Sequence, residues 1–430
     1  MLIKTIFISI LFVFSNLTFA KLNIQHWETT NGARIYFIEN HDLPIVDINV
    51  DFRAGSVKDN KQKNGLASLT NHMMALGSGG INEEDLANKF IDLGAQLNSS
   101  FDQDKSGFSL RTLSDKKSEA IDLLTLVLHE PDFDSDILER EKKRYIASIN
   151  QSKTMPGSIA SKAFMEALYN KHPYGLPSSG EVETIKKIRK KDLHAFYKTH
   201  YLSNELSIVI VGDISKKEAE NIGNKISLGF YENKMTLEIP SVDYVKIQEI
   251  KISHPAKQAH LYYGAPIIKR GDPDFLVLYL GNYILGGGGF VSRLVQVIRE
   301  DRGLAYSVYS YFMPFIEVGP FQVAVQTKKS QVKQAKELIQ KTIAEFIQNG
   351  PTSKELRRAK DFMIGGFPLR LDSNKKILEY VSMMAFYKYP LDYLETFTNK
   401  IDKITVEEIK SAFQRRVDMS KFSTVIVGSE

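Results

Sequence analysis

The 430-residue chain has no cysteine. Disulfide staples and thiol chemistry are therefore excluded, a composition that suits an oxidising compartment. No block of Lys and Arg interleaved with aromatics is present, and a formal net charge of +5 over this length does not point to nucleic acid. No apolar run reaches the roughly 20 residues that a membrane-spanning helix requires, so no integral membrane segment is expected. The glycine run at 286–289 lacks a following G-K-[ST], which removes a nucleotide phosphate cradle. What remains is ordinary globular usage, 43% hydrophobic and 25% charged. The chain is too long for one compact core, and roughly two to three domains are expected.

The first twenty residues stand apart. Lys4 precedes a nearly unbroken apolar run over residues 5–14, and Thr18-Phe19-Ala20 puts small residues where a signal peptidase reads. This run is too short for an anchor. Residues 1–20 are therefore expected to be a signal peptide removed before Lys21, which takes the net charge from +5 to +4.

The rest of the chain repeats once. Ser207-Ile208-Val209-Ile210-Val211-Gly212 returns as Ser423-Thr424-Val425-Ile426-Val427-Gly428, an offset of 216 positions, and at that offset 139–149 overlays 355–365. An apolar helix running into glycines occurs in each half, at 66–80 and 276–289. Two homologous domains follow, 21–230 and 252–430, joined by a linker at 231–251 where Pro240 and charge break the periodicity. Residues 45–52 and 107–113 alternate apolar and polar as half-buried strands do, whereas 116–129 and 332–349 have helical spacing. Strands and helices in runs favour an α+β fold, each domain a mainly antiparallel sheet packed with helices.

The helix after Gly65 carries Leu66, Leu69, Met73 and Leu76 on one stripe, with Ser68, Asn71 and His72 off it. Other segments worth marking are Leu93-Gly94-Ala95, His172-Pro173-Tyr174-Gly175, Tyr201 with Val211-Gly212-Asp213, and Leu285-Gly286-Gly287-Gly288 followed by Ser292-Arg293-Leu294. The most specific runs from Ile298-Arg299-Glu300-Asp301-Arg302-Gly303 through Leu304-Ala305-Tyr306-Ser307-Val308-Tyr309-Ser310. In this order they resemble the pitrilysin/insulinase zinc metallopeptidases, the inverzincins, in their short two-subunit form. The resemblance covers essentially the whole chain after residue 20.

The resemblance implies a fold in which the two domains make half of a clamshell. In that family the helix bears H-x-x-E-H, two His ligands to zinc and a Glu base, and a second helix supplies a third ligand. Here the pentad reads Ser68-Leu69-Thr70-Asn71-His72, and Ser148 stands at the third-ligand position. Glu141, two turns before it, matches an acidic position that does not bind metal. Two ligands and the base are thus missing together, and no metal is expected in this chain. His72 reads as a hydrogen-bonded structural residue, and Glu83, Glu84 and Asp85 as the charged start of the next helix.

Arg299 and Tyr306, by contrast, match the family pair that reaches across to the zinc domain and holds the substrate backbone and developing oxyanion. Their chemistry suits the task, a permanent cation with five donors and a neutral hydroxyl donor. Gly303 is expected to end a helix carrying Arg299, with Tyr306 opening a strand. The bland alternative pairs Arg299 with Glu300 or Asp301 on the surface and puts Tyr306 in the core; against it, the neighbouring Arg293 and Arg302 could fill surface roles equally well. The glycine run reads as a helix-ending turn beside the peptide channel.

The expectation that follows is a non-catalytic, substrate-binding subunit of a secreted heterodimeric zinc endopeptidase. It would be inactive alone, work in the bacterial periplasm, and take both zinc and H-x-x-E-H from a partner subunit. Peptides would be its substrates. The alternatives are a self-sufficient metallopeptidase with unusual ligands and a structural, peptide-holding core subunit.

Overall fold

The computed structural model describes residues 22–231, 238–243 and 246–429. The expected signal peptide, and linker residues 232–237 and 244–245, lie outside the described residues. The fold is α+β and built on two sheets. The first half supplies β1 (Gln25–Glu28), β2 (Arg34–Glu39), β3 (Ile45–Phe52), β4 (Gln96–Phe101), β5 (Ser106–Leu113) and β6 (Leu206–Gly212), ordered β1-β2-β6-β3-β5-β4. The second supplies β7 (Glu249–Ser253), β8 (Gln258–Ile268), β9 (Ala305–Phe312), β10 (Gly319–Lys328) and β11 (Ser423–Ser429), ordered β7-β11-β8-β10-β9. Without β1 the two orders are one topology. Even the parallel pair recurs, β2 with β6 and β7 with β11, in sheets that are otherwise antiparallel.

The repeated apolar hexapeptide forms an interior strand of each sheet, β6 and β11. Leu206–Gly212 is buried at every position, as a strand covered on both faces must be. On one face Ile208 and Ile210 join the core of the first half. On the other, Val209 and Val211 pack with Tyr36 and Ile38 into a core made otherwise of second-half side chains. Each such fully buried side chain contributes about 1.5–3 kcal/mol.

That second core results from an exchange of helices. Asn374–Tyr387, from the second half, lies on β6 and β3, while Pro156–Tyr169, from the first, lies on β11 and β8. The periodicity of each helix shows an apolar face, but not that the face belongs to the other half's sheet. The linker expectation also needs adjusting, because β7 begins at Glu249, inside 231–251, and hydrogen-bonds in parallel to β11.

Candidate functional site

The degenerate pentad lies on the helix Leu66–Met74, which is shorter than the 66–80 expected because Gly77, Gly79 and Gly80 all adopt positive φ beyond it. Its start is fixed by Asp59, whose carboxylate accepts from the Gly65 and Ala67 N–H groups at 2.8 and 2.9 Å. Burial pushes the Asp59 carboxyl up to about 7 despite these two donors.

Each polar pentad side chain is committed to the protein. Ser68 Oγ lies 3.2 Å from Tyr145 Oη, and Asn71 Nδ2 donates to Ser106 Oγ at 2.8 Å. Ser106 Oγ in turn shares a 2.6 Å hydrogen bond with the buried Tyr201 hydroxyl. His72 Nε2 is 3.0 Å from Glu141 Oε2, and its ring stands 5.8 Å from that of Tyr145. Glu141 is only 2% exposed and also accepts from Arg140 and Arg144. Burial alone would raise its pKa, but His72 and the two guanidiniums outweigh it and hold Glu141 below the usual carboxylate range.

These residues do not fit a zinc ion. Glu141 and Tyr145, on the helix Ser135–Ser152, occupy the hydrogen-bonding positions around Ser68 and His72, whereas Ser148 on the same helix is exposed. Asn71 uses its amide as a donor and offers no general base. Among the described residues no group of three or more His, Asp or Glu could hold a metal ion. Glu83 and Asp85 are placed as expected at the first turn of Glu83–Asp92, which Asn82 caps. Glu83 also binds Arg140.

In the second half, Arg299 lies in the π-helical turn Val295–Glu300, which ends at Gly303 (φ +60°) with the Gly303 N–H donating to the Arg299 carbonyl at 2.9 Å. The Arg299 guanidinium lies 4.9 Å from the Phe290 ring centre, and its Nε is 3.6 Å from Glu300 Oε1. Part of the bland reading of Arg299 therefore holds. The other part does not, because Tyr306 is 56% exposed.

A change of register explains that exposure. Ser307 pairs with Gln326 and Ala305 with Thr327, so Tyr306 is the extra residue of a bulge on β9, the edge strand. Bulges re-aim side chains in this way. Arg293, by contrast, is a structural residue, held by two 2.7 Å bonds to Glu355 and packed over Phe346. Arg302 donates to the Val297 carbonyl at 2.7 Å.

The glycine run packs against the same strand. A Cβ on Gly286 would stand 2.3 Å from Ser310 Oγ, so bare backbone is required there. Asn282 and Ser310 close the contact with reciprocal hydrogen bonds of 2.9 and 2.6 Å.

One cluster was not legible in the sequence. Asp104 accepts from the Tyr174 hydroxyl at 2.6 Å, the Ile316 N–H at 2.8 Å and the Tyr387 hydroxyl at 3.2 Å, which joins the halves. Burial raises its pKa against these donors. The marked tetrapeptide His172-Pro173-Tyr174-Gly175 supplies this clamp. Its histidine is structural too, with Nδ1 accepting from the Tyr174 N–H at 3.1 Å and Nε2 donating to the Pro240 carbonyl at 2.8 Å. Burial lowers the pKa of His172.

The chain is similar to known proteins over most of its length. Residues 34–181 match the family described as insulinase, peptidase family M16, and residues 187–363 match the peptidase M16 inactive domain. The chain is 29% identical to the "Non-peptidase homolog YmxG" of Helicobacter pylori, over 93% of each protein. It is 28% identical to the "Uncharacterized zinc protease YmxG" of Bacillus subtilis, over 90% of this chain and 94% of that one. A crystal structure of a peptidase M16 inactive domain from Pseudomonas fluorescens superposes with a TM-score of 0.92 at 36% identity, covering 95% of this chain and 98% of that one.

Proposed function

The chain belongs to the insulinase (M16) peptidase family as a non-catalytic member, and we propose that it is the substrate-binding subunit of a secreted, two-chain zinc endopeptidase. The observation that carries this reading is the contrast between the two halves. The polar side chains of the pentad helix are used up in internal hydrogen bonds, whereas Tyr306 is turned outward by a bulge on an edge strand. A partner subunit with an intact H-x-x-E-H contributes zinc, the attacking water and the base. This chain holds no zinc of its own and brings Arg299 and Tyr306 to the substrate carbonyl.

Two edge strands support peptide binding. Among the described residues β9 hydrogen-bonds only to β10, and β4 only to β5. Each leaves one row of backbone donors and acceptors for an extended peptide, a mode that gives affinity with limited sequence specificity. Tyr309 and Tyr311 stack beside Tyr306 on β9, with ring centres 5.7 Å apart, and offer apolar faces to side chains of such a peptide. Peptides, with no nucleic acid involved, are the substrates this arrangement suits. Lys4, the apolar run at 5–14 and Thr18-Phe19-Ala20 support export by a leader at residues 1–20 and work in the bacterial periplasm.

The test is reconstitution. The chain is purified alone and with an H-x-x-E-H subunit encoded in the same genome, and each preparation is assayed on unfolded peptides and for bound zinc. The proposal expects neither activity nor stoichiometric zinc in the chain alone, and both in the complex. Stoichiometric zinc in the lone chain that disappears in His72→Ala would overturn it in favour of a self-sufficient peptidase.

A further inference from the structure

Arg34 opens β2 with only 6% of the residue exposed, and among the described residues its Nε and Nη2 have no hydrogen-bond partner. A buried guanidinium in that position is strongly destabilising unless something pairs with it. Nε and Nη2 form the edge of the group that grips two oxygens side by side. Elsewhere in this chain the same edge is filled: Arg111 donates both nitrogens to Asp47 at 2.8 and 2.9 Å, and Arg293 donates both to Glu355 at 2.7 Å. Arg34 presents the fork without the carboxylate.

The nearby acids do not take that place. Glu28 faces Arg34 across the β1–β2 pair but is exposed, and Glu205 is turned to Arg53, whose Nε lies 3.3 Å from its Oε2. Neither accepts from Nε or Nη2 of Arg34. Further cations gather at the same spot. Burial lowers the pKa of Arg34, and Arg53 acts in the same direction; burial also lowers Lys388, with Arg34 and then Arg53 adding to it. Three cations thus share two carboxylates, Glu28 and Glu205. The place is a junction of the halves, since Lys388 ends the second-half helix Asn374–Tyr387 and the Arg53 guanidinium lies 6.0 Å from the Phe386 ring centre.

We propose that Arg34, Arg53 and Lys388 form an anion site between the halves, in which the Nε–Nη2 edge of Arg34 takes two oxygens of one small oxoanion, a phosphate or a carboxylate. Arg34 is buried deeply enough that only a small anion reaches its edge, while the exposed Lys388 and Glu28 flank the approach from solvent. Once bound, the anion ties Lys388 of the second half to Arg34 and Arg53 of the first.

The experiment titrates inorganic phosphate, and in a separate arm acetate, into the purified chain by calorimetry at low ionic strength, with thermal unfolding followed in parallel. The proposal expects saturable one-to-one binding of at least one of them in the millimolar range or tighter, and the tighter arm identifies the oxoanion. Arg34→Gln should abolish binding, and Arg34→Lys should restore it at most in part because an ammonium has no two-donor edge. Lys388→Gln is an exposed change that leaves the core alone, and it should weaken binding a few-fold. Bound anion raises the Tm by mass action, but phosphate also stabilises proteins generally, so the rise is read as the excess of wild type over Lys388→Gln. Glu28→Gln removes a competing acid and should tighten binding. No saturable binding of either anion to wild type, or binding unchanged in both Arg34→Gln and Lys388→Gln, would overturn the site. Binding that appears only in Glu28→Gln would also overturn it, because Glu28 would then be the partner of Arg34.

Discussion

Nε2 of His72 lies 3.0 Å from Oε2 of Glu141, so the one family ligand that survives in the pentad is spent on a carboxylate from the neighbouring helix. Arg140 and Arg144 close the far side of Glu141. His72 is thereby a strut between two helices of the first half.

Restoring a single ligand should therefore fail. In Ser68→His, Asn71 would still donate to Ser106 and Ser148 would still lie exposed on its helix, leaving no base and no third ligand. Metal analysis after extensive dialysis is expected to find no stoichiometric zinc. Zinc-dependent peptide cleavage by this variant would show that the site has been placed wrongly.

Asp104 should be worth more to stability than any exposed acid. Asp104→Ala strands two hydroxyls and an N–H between the halves, and is expected to cost about 2–5 kcal/mol in urea unfolding. Tyr174→Phe removes one of these donors and should cost about 1–3 kcal/mol. Because the two side chains share a 2.6 Å bond, their double variant should lose less than the sum. Strict additivity would contradict the clamp.

His200 sets a pH dependence. Burial first, then the nearby Lys58 charge, lowers its pKa from 6.5 to about 4 in the folded protein. A base with a depressed folded pKa takes up its proton more readily when unfolded. Its contribution is therefore complete above about pH 6.5 and is lost as pH falls towards about 4. Asp59 acts in the opposite sense, since its folded value of about 7 makes its contribution fall as pH rises from about 4. The stability difference between wild type and His200→Gln should accordingly grow from pH 4 to 6.5 and then level off. A difference that shrinks over this range would reverse the assignment.

Some of this was legible in the sequence because it is periodic. The alternation at 45–52 gave β3 as a strand, though not a half-buried one, because Asp47, Asn49 and Asp51 are buried as well, and the spacing at 332–349 gave the helix Val332–Asn349. The repeated Val-Ile-Val segments marked the two halves, and each proves to be an interior strand of its sheet, β6 or β11. Periodicity shows that a face is apolar without showing what covers it, and so the exchange of Pro156–Tyr169 and Asn374–Tyr387 stayed hidden. The site was legible by residue type at Ser68, Asn71 and His72, where the missing chemistry is plain. It was not legible at Asp104, a loop acid whose partners lie up to 283 positions away. Nor could alternation along 305–312 place Tyr306, because a bulge resets the register at that residue.

The central claim is that this chain lends Arg299 and Tyr306 to a partner's reaction, and turnover by a reconstituted complex carrying Tyr306→Phe tests it most directly. The account predicts a fall on the order of 10²-fold with assembly and the partner's zinc unchanged, as loss of one oxyanion donor typically produces. Arg299→Ala should weaken substrate binding as well, and Arg299→Lys should restore it only in part, because an ammonium lacks the planar fork. Wild-type turnover in both the Tyr306→Phe and Arg299→Ala complexes would contradict the account and leave the chain as a scaffold.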